Sequence, residues 1–402
     1  MVEVLSDASN NSSSAHLVRV LNIRGKRGLS VDPFSHGCFT HGHDEPTSHS
    51  VLEWHLMATN LPALIANETE LDDWLTRPSA ALVQFIPRFR SPLVILGAGG
   101  KMGPTLAVLA KRAADAARHP LEVIAVSRFS DATARSWLED RGVRTVAADL
   151  LDRAAIATLP DSANVAYLVG LKFGTQTNPS RTWAVNTLVP AAIVERYRCS
   201  RIVALSTGNV YPLARVEVGG SRETDALTPL GEYANAAVAR ERIFEHLSLQ
   251  VGTPITQLRL SYALDLRYGV VADIAGKVWR GEPISLATGH FNGIWQGDAN
   301  DMILRSFELA ASPVAAFNLS SVAIYSVRET ARQLGELLGR DPVFEGTESG
   351  TAFVSDTARL TSLLGEPPTP LSDVLRWTAE WVKSGARTFN KPAHFEVRDG
   401  AY

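Results

Sequence analysis

The segment at residues 91–103 constrains the fold more than any other part of the chain. It reads SPLVILGAGGKMG, an apolar strand that runs into a glycine-rich turn, and apolar residues with helical spacing follow from Pro104. Gly97 permits a tight bend, Gly100 lets the backbone approach a pyrophosphate, and Gly103 lets the helix pack closely on the strand. The helix N-terminus then points at the phosphates. The segment therefore predicts a dinucleotide-binding turn.

Strand-like and helix-like segments alternate after this turn. Apolar runs of strand length lie at residues 121–126, 143–148, 165–170 and 201–205, and helix-like segments separate them. This alternation is typical of parallel strands joined by right-handed helical crossovers. We therefore predict an α/β fold, with a Rossmann-type doubly wound parallel sheet and a smaller C-terminal substrate lobe.

The pattern divides the chain into five segments. We predict an unstructured N-terminal extension at 1–56, a helical preface at 57–90, a dinucleotide-binding domain at 91–255, mainly a substrate lobe at 256–385, and a C-terminal tail at 386–402. In the preface, Asn67 is a candidate helix cap, and Leu71, Trp74 and Leu75 form an apolar face. We expect the chain to fray from about Lys383.

Histidines are concentrated in the N-terminal extension. A metal ion could in principle be bound there by His36, Cys38, His41, His43 and Asp44. The spacing of these residues matches no known ligand pattern, and no predicted strand or helix holds them. We therefore predict no metal site, and a solvated segment.

Composition excludes several classes of function. The chain has 39 basic and 42 acidic residues and no run of basic residues interleaved with aromatics, which argues against a nucleic-acid partner. Its apolar runs are far shorter than the roughly 20 residues of a membrane span. Cys38 and Cys199 are too few for a disulfide framework, which fits a reducing compartment. We expect a cytoplasmic protein.

Several motifs in residues 91–385 resemble the extended short-chain dehydrogenase/reductases, also called the NAD-dependent epimerase/dehydratase family. The spacing of Gly97, Gly100 and Gly103 matches the glycine spacing of this family. Further matching positions are Asp149-Leu150 after the third strand, Gly170-Leu171-Lys172 after the fourth, Asn186, the segment 206–211 (STGNVY), Glu223, and Tyr233 with Glu241 on one helix.

The resemblance implies a set of cofactor-binding residues: Gly97, Gly99, Gly100, Lys101, Met102, Gly103, Ser127, Arg128, Asp149, Leu150, Gly170, Lys172 and Tyr233. At the end of the second strand, an NAD enzyme usually places a carboxylate and an NADP enzyme an arginine. Ser127 and Arg128 stand there and slightly favour NADP, whereas nearby Asp131 keeps NAD open.

The catalytic positions depart from the family pattern. The family uses a tyrosinate as acid or base during hydride transfer, a Ser or Thr that binds the substrate oxygen, and a lysine four residues after the tyrosine. Here Tyr233 is followed at that distance by Ala237. An unassisted phenol has a pKa near 10 and is ionised to about one part in a thousand at neutral pH. Lys172 is the best candidate to replace the missing cation.

Two more positions complete the candidate catalytic set. Thr207 fits the role of the hydroxyl that binds the substrate oxygen, and Asn209 could bind a substrate carbonyl or hydroxyl. Sugar-nucleotide dehydratases carry an Asp-Glu pair where this chain has Gly208 and Asn209, so elimination by that route is disfavoured.

The C-terminal third is expected to determine the substrate. Nucleotide-sugar enzymes of the family hold the diphosphate with an arginine between two landmarks, matched here by Arg280 and Asp298. Residues 281–304 contain no Arg or Lys. This favours a free sugar, a sugar acid or a similar small polyhydroxy carbonyl substrate. The alternative is that Arg267, Lys277 or Arg280 holds a diphosphate.

Three functional hypotheses follow. The first is an NAD(P)-dependent epimerase or dehydrogenase that acts on such a substrate by hydride transfer. The second is a dinucleotide-binding sensor or scaffold whose catalytic site is degenerate, as Ala237 indicates. The third is a non-redox enzyme with a structural NAD(P). The family often dimerises, so a homodimer is one possible state of the chain.

Overall fold

The structure, a computed structural model, describes residues 61–401 except 131, 173 and 176. All of these belong to one unit, Glu45–Tyr402. The N-terminal extension and its five candidate metal ligands lie outside the described residues, as does Asp131. None of the helices in the described part of the chain is long and apolar enough to cross a membrane.

The first part of the described chain contains seven helices and seven strands. They are α1 (Glu68–Leu75), α2 (Ala80–Phe85), β1 (Leu93–Leu96), α3 (Gly103–Ala116), β2 (Val123–Ser127), α4 (Ala132–Glu139), β3 (Arg144–Ala147), α5 (Arg153–Ala157), β4 (Asn164–Tyr167), α6 (Pro179–Arg196), β5 (Arg201–Thr207), β6 (Ala214–Arg215), α7 (Gly231–Val251) and β7 (Ile255–Leu260).

The second part contains shorter strands and five helices. They are β8 (Ala263–Leu264), α8 (Val270–Arg280), β9 (Pro283–Ser285), β10 (His290–Phe291), β11 (Ile294–Trp295), α9 (Gln296–Arg305), β12 (Ala315–Leu319), β13 (Tyr325–Ser326), α10 (Val327–Leu338), β14 (Val343–Glu345), β15 (Thr351–Ala352), α11 (Ala358–Leu364) and α12 (Leu371–Lys383).

Seven parallel strands form the central sheet, in the order β12-β7-β5-β4-β1-β2-β3. The predicted Rossmann-type sheet is therefore confirmed. Strand β1 pairs with both β2 and β4, so the order reverses beside β1, and ligands of such sheets bind outside the strand carboxyl ends at this point. Strand β12 lies in the segment predicted to form mainly the substrate lobe, and β7 lies at the start of that segment. The segment therefore contributes strands to the central sheet as well as to the lobe.

Strand β1 shows why these apolar runs form a central sheet. All four of its residues are buried. Leu93 and Ile95 pack in the hydrophobic cluster that contains α3, whereas Val94 and Leu96 pack in the cluster on the opposite face. A strand covered by helices on both faces has no polar side, which explains the continuous apolar sequence.

Helices α1 and α2 lie in the segment for which the sequence predicts a helical preface. Helix α1 begins after Asn67, whose side chain accepts a hydrogen bond from the backbone N–H of Glu70 at 3.0 Å. Leu71 and Leu75 are completely buried, and they join the hydrophobic cluster of the C-terminal lobe. Helix α1 is thus part of the core of this lobe, whereas Leu82 and Phe85 of α2 pack in the cluster that contains α3.

The C-terminal tail corrects one expectation. Helix α12 ends at Lys383, but the following residues do not fray: Phe395 is completely buried, and the N–H of Ala393 donates to Asp273 at 2.6 Å. Arg398 donates to the carbonyl of Thr351 at 2.7 Å. We name residues 386–401 the C-terminal strap. The strap forms no helix or strand and is held by individual contacts. Its sequence therefore has no periodic apolar pattern.

Candidate active site

The glycine-rich turn has the geometry that its sequence predicts. Gly97 adopts φ +81°, and a Cβ there would lie 3.0 Å from the backbone of Leu168. A Cβ on Gly103 would lie 2.5 Å from the backbone of Ala98. Helix α3 begins here without a side-chain cap, so its first N–H groups remain available to an anion.

A first pocket opens above this turn at the carboxyl ends of β1, β2 and β4. Its volume is about 300 Å³. Its lining includes most of the predicted cofactor residues: Gly97, Gly99, Gly100, Ser127, Arg128, Asp149, Leu150 and Gly170. We call it the dinucleotide pocket. A Cβ on Gly99 would lie 2.5 Å from the Ser127 hydroxyl, so the turn lies directly against the end of β2.

A second cavity lies beside the dinucleotide pocket and has a volume of about 180 Å³. We call it the catalytic cavity. It brings together all four predicted catalytic residues, Lys172, Thr207, Asn209 and Tyr233, although they come from three separate parts of the chain. Lys101 and Met102, which the sequence assigns to the cofactor, also line this cavity.

Thr207 and Asn209 form one hydrogen-bonded unit at the end of β5. The Thr207 hydroxyl donates to the Asn209 side-chain oxygen at 3.0 Å and accepts from the Asn209 backbone N–H at 3.2 Å. Gly208 lies between them, and a Cβ there would overlap the Ser261 hydroxyl. A side chain at position 208, such as the acid that dehydratases carry there, would therefore require the Ser261 side chain to move.

Tyr233 is the third residue of α7, and Lys172 approaches it from the loop after β4. The Lys172 ammonium is 5.9 Å from the centroid of the Tyr233 ring. Ala237, one turn further along α7, is completely buried and packs with Val210 and Tyr211 in an apolar cluster. A lysine at position 237 would have to displace this cluster, so Ala237→Lys does not simply restore the family pattern.

The middle of α7 is fixed by a buried ion pair. Arg259 on β7 donates to both carboxylate oxygens of Glu241, the shortest distance being 2.7 Å, and both side chains are at most 4% exposed. Ser206 donates to the same carboxylate, and Arg259 also donates to the Tyr211 hydroxyl at 2.6 Å. Glu241 therefore fixes α7 on the sheet and takes no part in the cavity lining.

Arg240 supports the floor of the dinucleotide pocket. Its guanidinium is buried and donates to the side-chain oxygen of Asn186 at 2.6 Å and to the carbonyl of Val169 at 3.2 Å. A Cβ on Gly170 would lie 2.8 Å from this guanidinium. Arg240 thus lies under the pocket floor, and Asn186 fixes its orientation.

Both lysines of the catalytic cavity are partly buried. Burial lowers the pKa of Lys101 to about 8, and the neighbouring charges of Arg267 and Lys172 act in the same direction. Burial also lowers the pKa of Lys172 to about 8. Two cations near their titration point at neutral pH are typical of functional sites.

Sequence similarity agrees with this geometry. Residues 93–264, which carry the glycine-rich turn, the dinucleotide pocket and Tyr233, match the sequence model of the NAD dependent epimerase/dehydratase family. This segment belongs to that family. No curated protein sequence matches the chain.

Solved structures of the same fold include sugar-nucleotide epimerases. The UDP-glucose 4-epimerase of Thermotoga maritima is 20% identical, with a TM-score of 0.60 over 73% of this chain and 99% of that one. The UDP-glucuronic acid 4-epimerase of Bacillus cereus, in complex with NAD, is 16% identical, with a TM-score of 0.61 over 73% of this chain and 96% of that one. At this level of identity, the similarity establishes the epimerase/dehydratase fold alone.

Several lining residues were missed at the sequence level. Arg181, in the first turn of α6, lines the dinucleotide pocket. Tyr268 and Ala393 line the catalytic cavity. The sequence could have indicated Arg181, because it is a cation in the first turn of the helix that follows the fourth strand. Ala393 had none, because it reaches the cavity only through the fold of the C-terminal strap. The epimerase/dehydratase segment therefore supplies most of the cavity, and the rest of the chain completes it.

Proposed function

We propose that the chain is an NAD(P)-dependent epimerase or dehydrogenase that acts on a small polyhydroxy carbonyl compound. One observation carries the proposal: a pocket of dinucleotide-binding geometry opens beside a cavity lined by Tyr233, Thr207, Asn209 and Lys172. The similar solved epimerases support the same class of reaction.

The dinucleotide pocket fits the cofactor in two respects. The uncapped N-terminus of α3 offers N–H groups to a pyrophosphate, and the turn leaves no space for side chains at Gly97 and Gly103. Asp149 and Leu150 would hold the adenine end, and Gly170 the middle of the molecule. When bound, the nicotinamide supplies the acceptor or donor of hydride.

The residues of the chain supply the acid–base and positioning functions. Tyr233 gives a proton to the substrate oxygen as a phenol, or takes one from it as a phenolate. Thr207 and Asn209 hold that oxygen by hydrogen bonds, and the Lys172 ammonium stabilises negative charge on the phenol oxygen. The pair Gly208-Asn209 supports this reaction over elimination, since neither residue can act as a general acid.

The substrate is proposed to lack a nucleoside diphosphate. The three cations that could have held a diphosphate are each paired with a carboxylate: Arg267 with Asp72 and Asp265, Lys277 with Glu396, and Arg280 with Glu282. None of the three lines the catalytic cavity. A free sugar or sugar acid fits a cavity of about 180 Å³ better than a nucleotide sugar does.

The proposal is tested by identifying any nucleotide that remains bound to the protein after purification. The protein is denatured, and any released dinucleotide is identified as NAD or NADP in its oxidised or reduced form. Retained nucleotide favours an epimerase that regenerates its cofactor, whereas an empty protein that binds added NADP favours a dehydrogenase. A protein that binds neither dinucleotide, with or without substrate, contradicts the proposal.

NADP is the proposed preference, and Arg128 is the residue that tests it. Arg128 is exposed at the rim of the dinucleotide pocket, next to Ser127. Because a guanidinium pairs with a ribose phosphate, we expect Arg128→Ala to weaken NADP binding about tenfold and NAD binding much less. The measurement is the Kd of each dinucleotide by fluorescence titration.

Arg181→Ala is the matched control for Arg128→Ala. It removes a second guanidinium from the lining of the same pocket, on α6 rather than at the end of β2. We expect it to change the affinities of NAD and NADP by the same factor. If Arg128→Ala changes the Kd of NAD and the Kd of NADP by the same factor, Arg128 does not bind the ribose phosphate.

A further inference from the structure

Lys101 presents a partly buried positive charge to the catalytic cavity. Its ammonium donates to the carbonyl of Ala263 at 2.6 Å and lies 4.6 Å from the centroid of the Tyr268 ring. Lysine has three N–H donors, so this single carbonyl leaves donors for a ligand in the cavity. Lys101 therefore differs from the lysines that lie on the protein surface.

The nearest carboxylates are already engaged with other groups. Both oxygens of Asp265 accept hydrogen bonds from Arg267, at 3.1 and 3.0 Å. Asp273 accepts from the N–H of Ala393. Among the described residues, no carboxylate forms an ion pair with Lys101. Desolvation of an ammonium without a paired carboxylate is unfavourable, and an anionic ligand would offset it.

Lys172 adds a second positive charge to the same cavity. It comes from the loop after β4, whereas Lys101 comes from the turn before α3, so the two side chains reach the cavity from different segments. Their charges repel each other, and this contributes to the lowered pKa of Lys101. The cavity as a whole is therefore electropositive, and its remaining polar groups are hydroxyls and amides such as Thr207, Asn209 and Ser261.

We propose that Lys101 and Lys172 bind a carboxylate of the substrate, which is therefore a small polyhydroxy acid. This inference rests on the proposed function and names its substrate class. Two separate ammonium groups suit a carboxylate, whereas a diphosphate is usually held by the planar fork of arginine. Within the described part of the chain, no arginine lines this cavity. The hydroxyl and amide groups between the lysines match the hydroxyls of such an acid.

The test measures binding to the full-length protein loaded with NADP or NAD. Isothermal titration calorimetry compares a hexuronate, the corresponding neutral hexose and a hexose 6-phosphate. We expect the hexuronate to bind at least about tenfold more tightly than the hexose. Lys101→Met keeps the length of the side chain and removes its charge, so we expect it to abolish this preference while the affinity for the dinucleotide stays unchanged.

Lys383→Met is the matched control, because Lys383 is a surface lysine at the end of α12 that pairs with Glu380. It should bind all three compounds as the natural protein does. A hexuronate preference that survives in Lys101→Met overturns the inference, as does tighter binding of the phosphate ester. Weaker dinucleotide binding in Lys101→Met also overturns it, since Lys101 would then hold the cofactor.

The outcomes separate this inference from the proposed function. If the protein binds no dinucleotide, the proposed function fails, and the same titrations on the protein alone still decide whether Lys101 binds an acid. If the protein binds a dinucleotide but prefers the neutral hexose, only the present inference fails.

A pH series tests the same inference without any substitution. We expect hexuronate affinity to fall as the pH rises through about 8, because the ammonium groups lose their protons there. Burial raises the pKa of Asp273 to about 6 and that of Tyr268 to about 12, so neither changes its charge in this range. The charged groups that act on Lys101 are Asp265, Asp273, Arg267 and Lys172. An affinity that is constant between about pH 7 and 9 contradicts the inference.

Discussion

Replacing Tyr233 by phenylalanine should lower turnover at least about tenfold and leave the Kd of the dinucleotide unchanged. The substitution removes only the hydroxyl, which is the group proposed to exchange a proton with the substrate oxygen. The ring remains, and so does its contact with the Lys172 ammonium at 5.9 Å from the ring centroid. The measurement is steady-state kinetics beside a fluorescence titration of the cofactor.

Tyr197→Phe controls for the loss of a tyrosine hydroxyl elsewhere. Tyr197 is buried at the end of α6, and its hydroxyl donates to the carbonyl of Pro160 at 2.9 Å, outside both pockets. This variant should lose a little stability and keep its turnover. Unchanged turnover in Tyr233→Phe would refute the acid–base role, and the Lys172 side chain would be the next candidate for it.

Replacing Arg259 by methionine should lower the free energy of unfolding by about 3–5 kcal/mol. The side chains of Arg259 and Glu241 are 4% and 1% exposed, so the substitution leaves the Glu241 carboxylate buried without its partner. The Tyr211 hydroxyl and the Glu223 carbonyl lose the same donor. The measurement is equilibrium unfolding in urea.

Two further variants show whether this loss comes from the buried charge. Arg153→Met removes one member of an ion pair with Glu195 in which both side chains are more than half exposed, and should cost less than about 1 kcal/mol. Adding Glu241→Gln to Arg259→Met should recover part of the lost stability, because the unpaired charge is then removed. A loss below about 1 kcal/mol in Arg259→Met would mean that water reaches Glu241.

The sheet could be predicted because its physical causes are local. A strand covered on both faces must be apolar throughout, as β1 is, and the turn after it needs glycine at Gly97 and Gly103 for reasons of backbone geometry alone. The cap of α1 by Asn67 is equally local. Such features follow from a few neighbouring residues and do not depend on the rest of the fold.

The catalytic cavity could be predicted only in part. Tyr233, Thr207 and Lys172 follow strands or begin a helix at the carboxyl edge of the sheet, where parallel strands bring their ends together. The direction of the Lys101 side chain was not predictable, because a turn has no periodicity that assigns a face. The family pattern placed Lys101 with the cofactor, whereas its side chain lines the catalytic cavity.

The C-terminal strap has a consequence for how this protein can diversify. Its Ala393 lines the catalytic cavity, and its Gly400 packs against Leu230 and Gly231 at the start of the helix that carries Tyr233. The strap thus joins the substrate lobe to the catalytic helix. Recombination that exchanged the lobe without the strap, in evolution or in a laboratory chimera, would leave one wall of the cavity mismatched. New substrate ranges should therefore arise more readily from point substitutions in the strap than from the exchange of whole lobes.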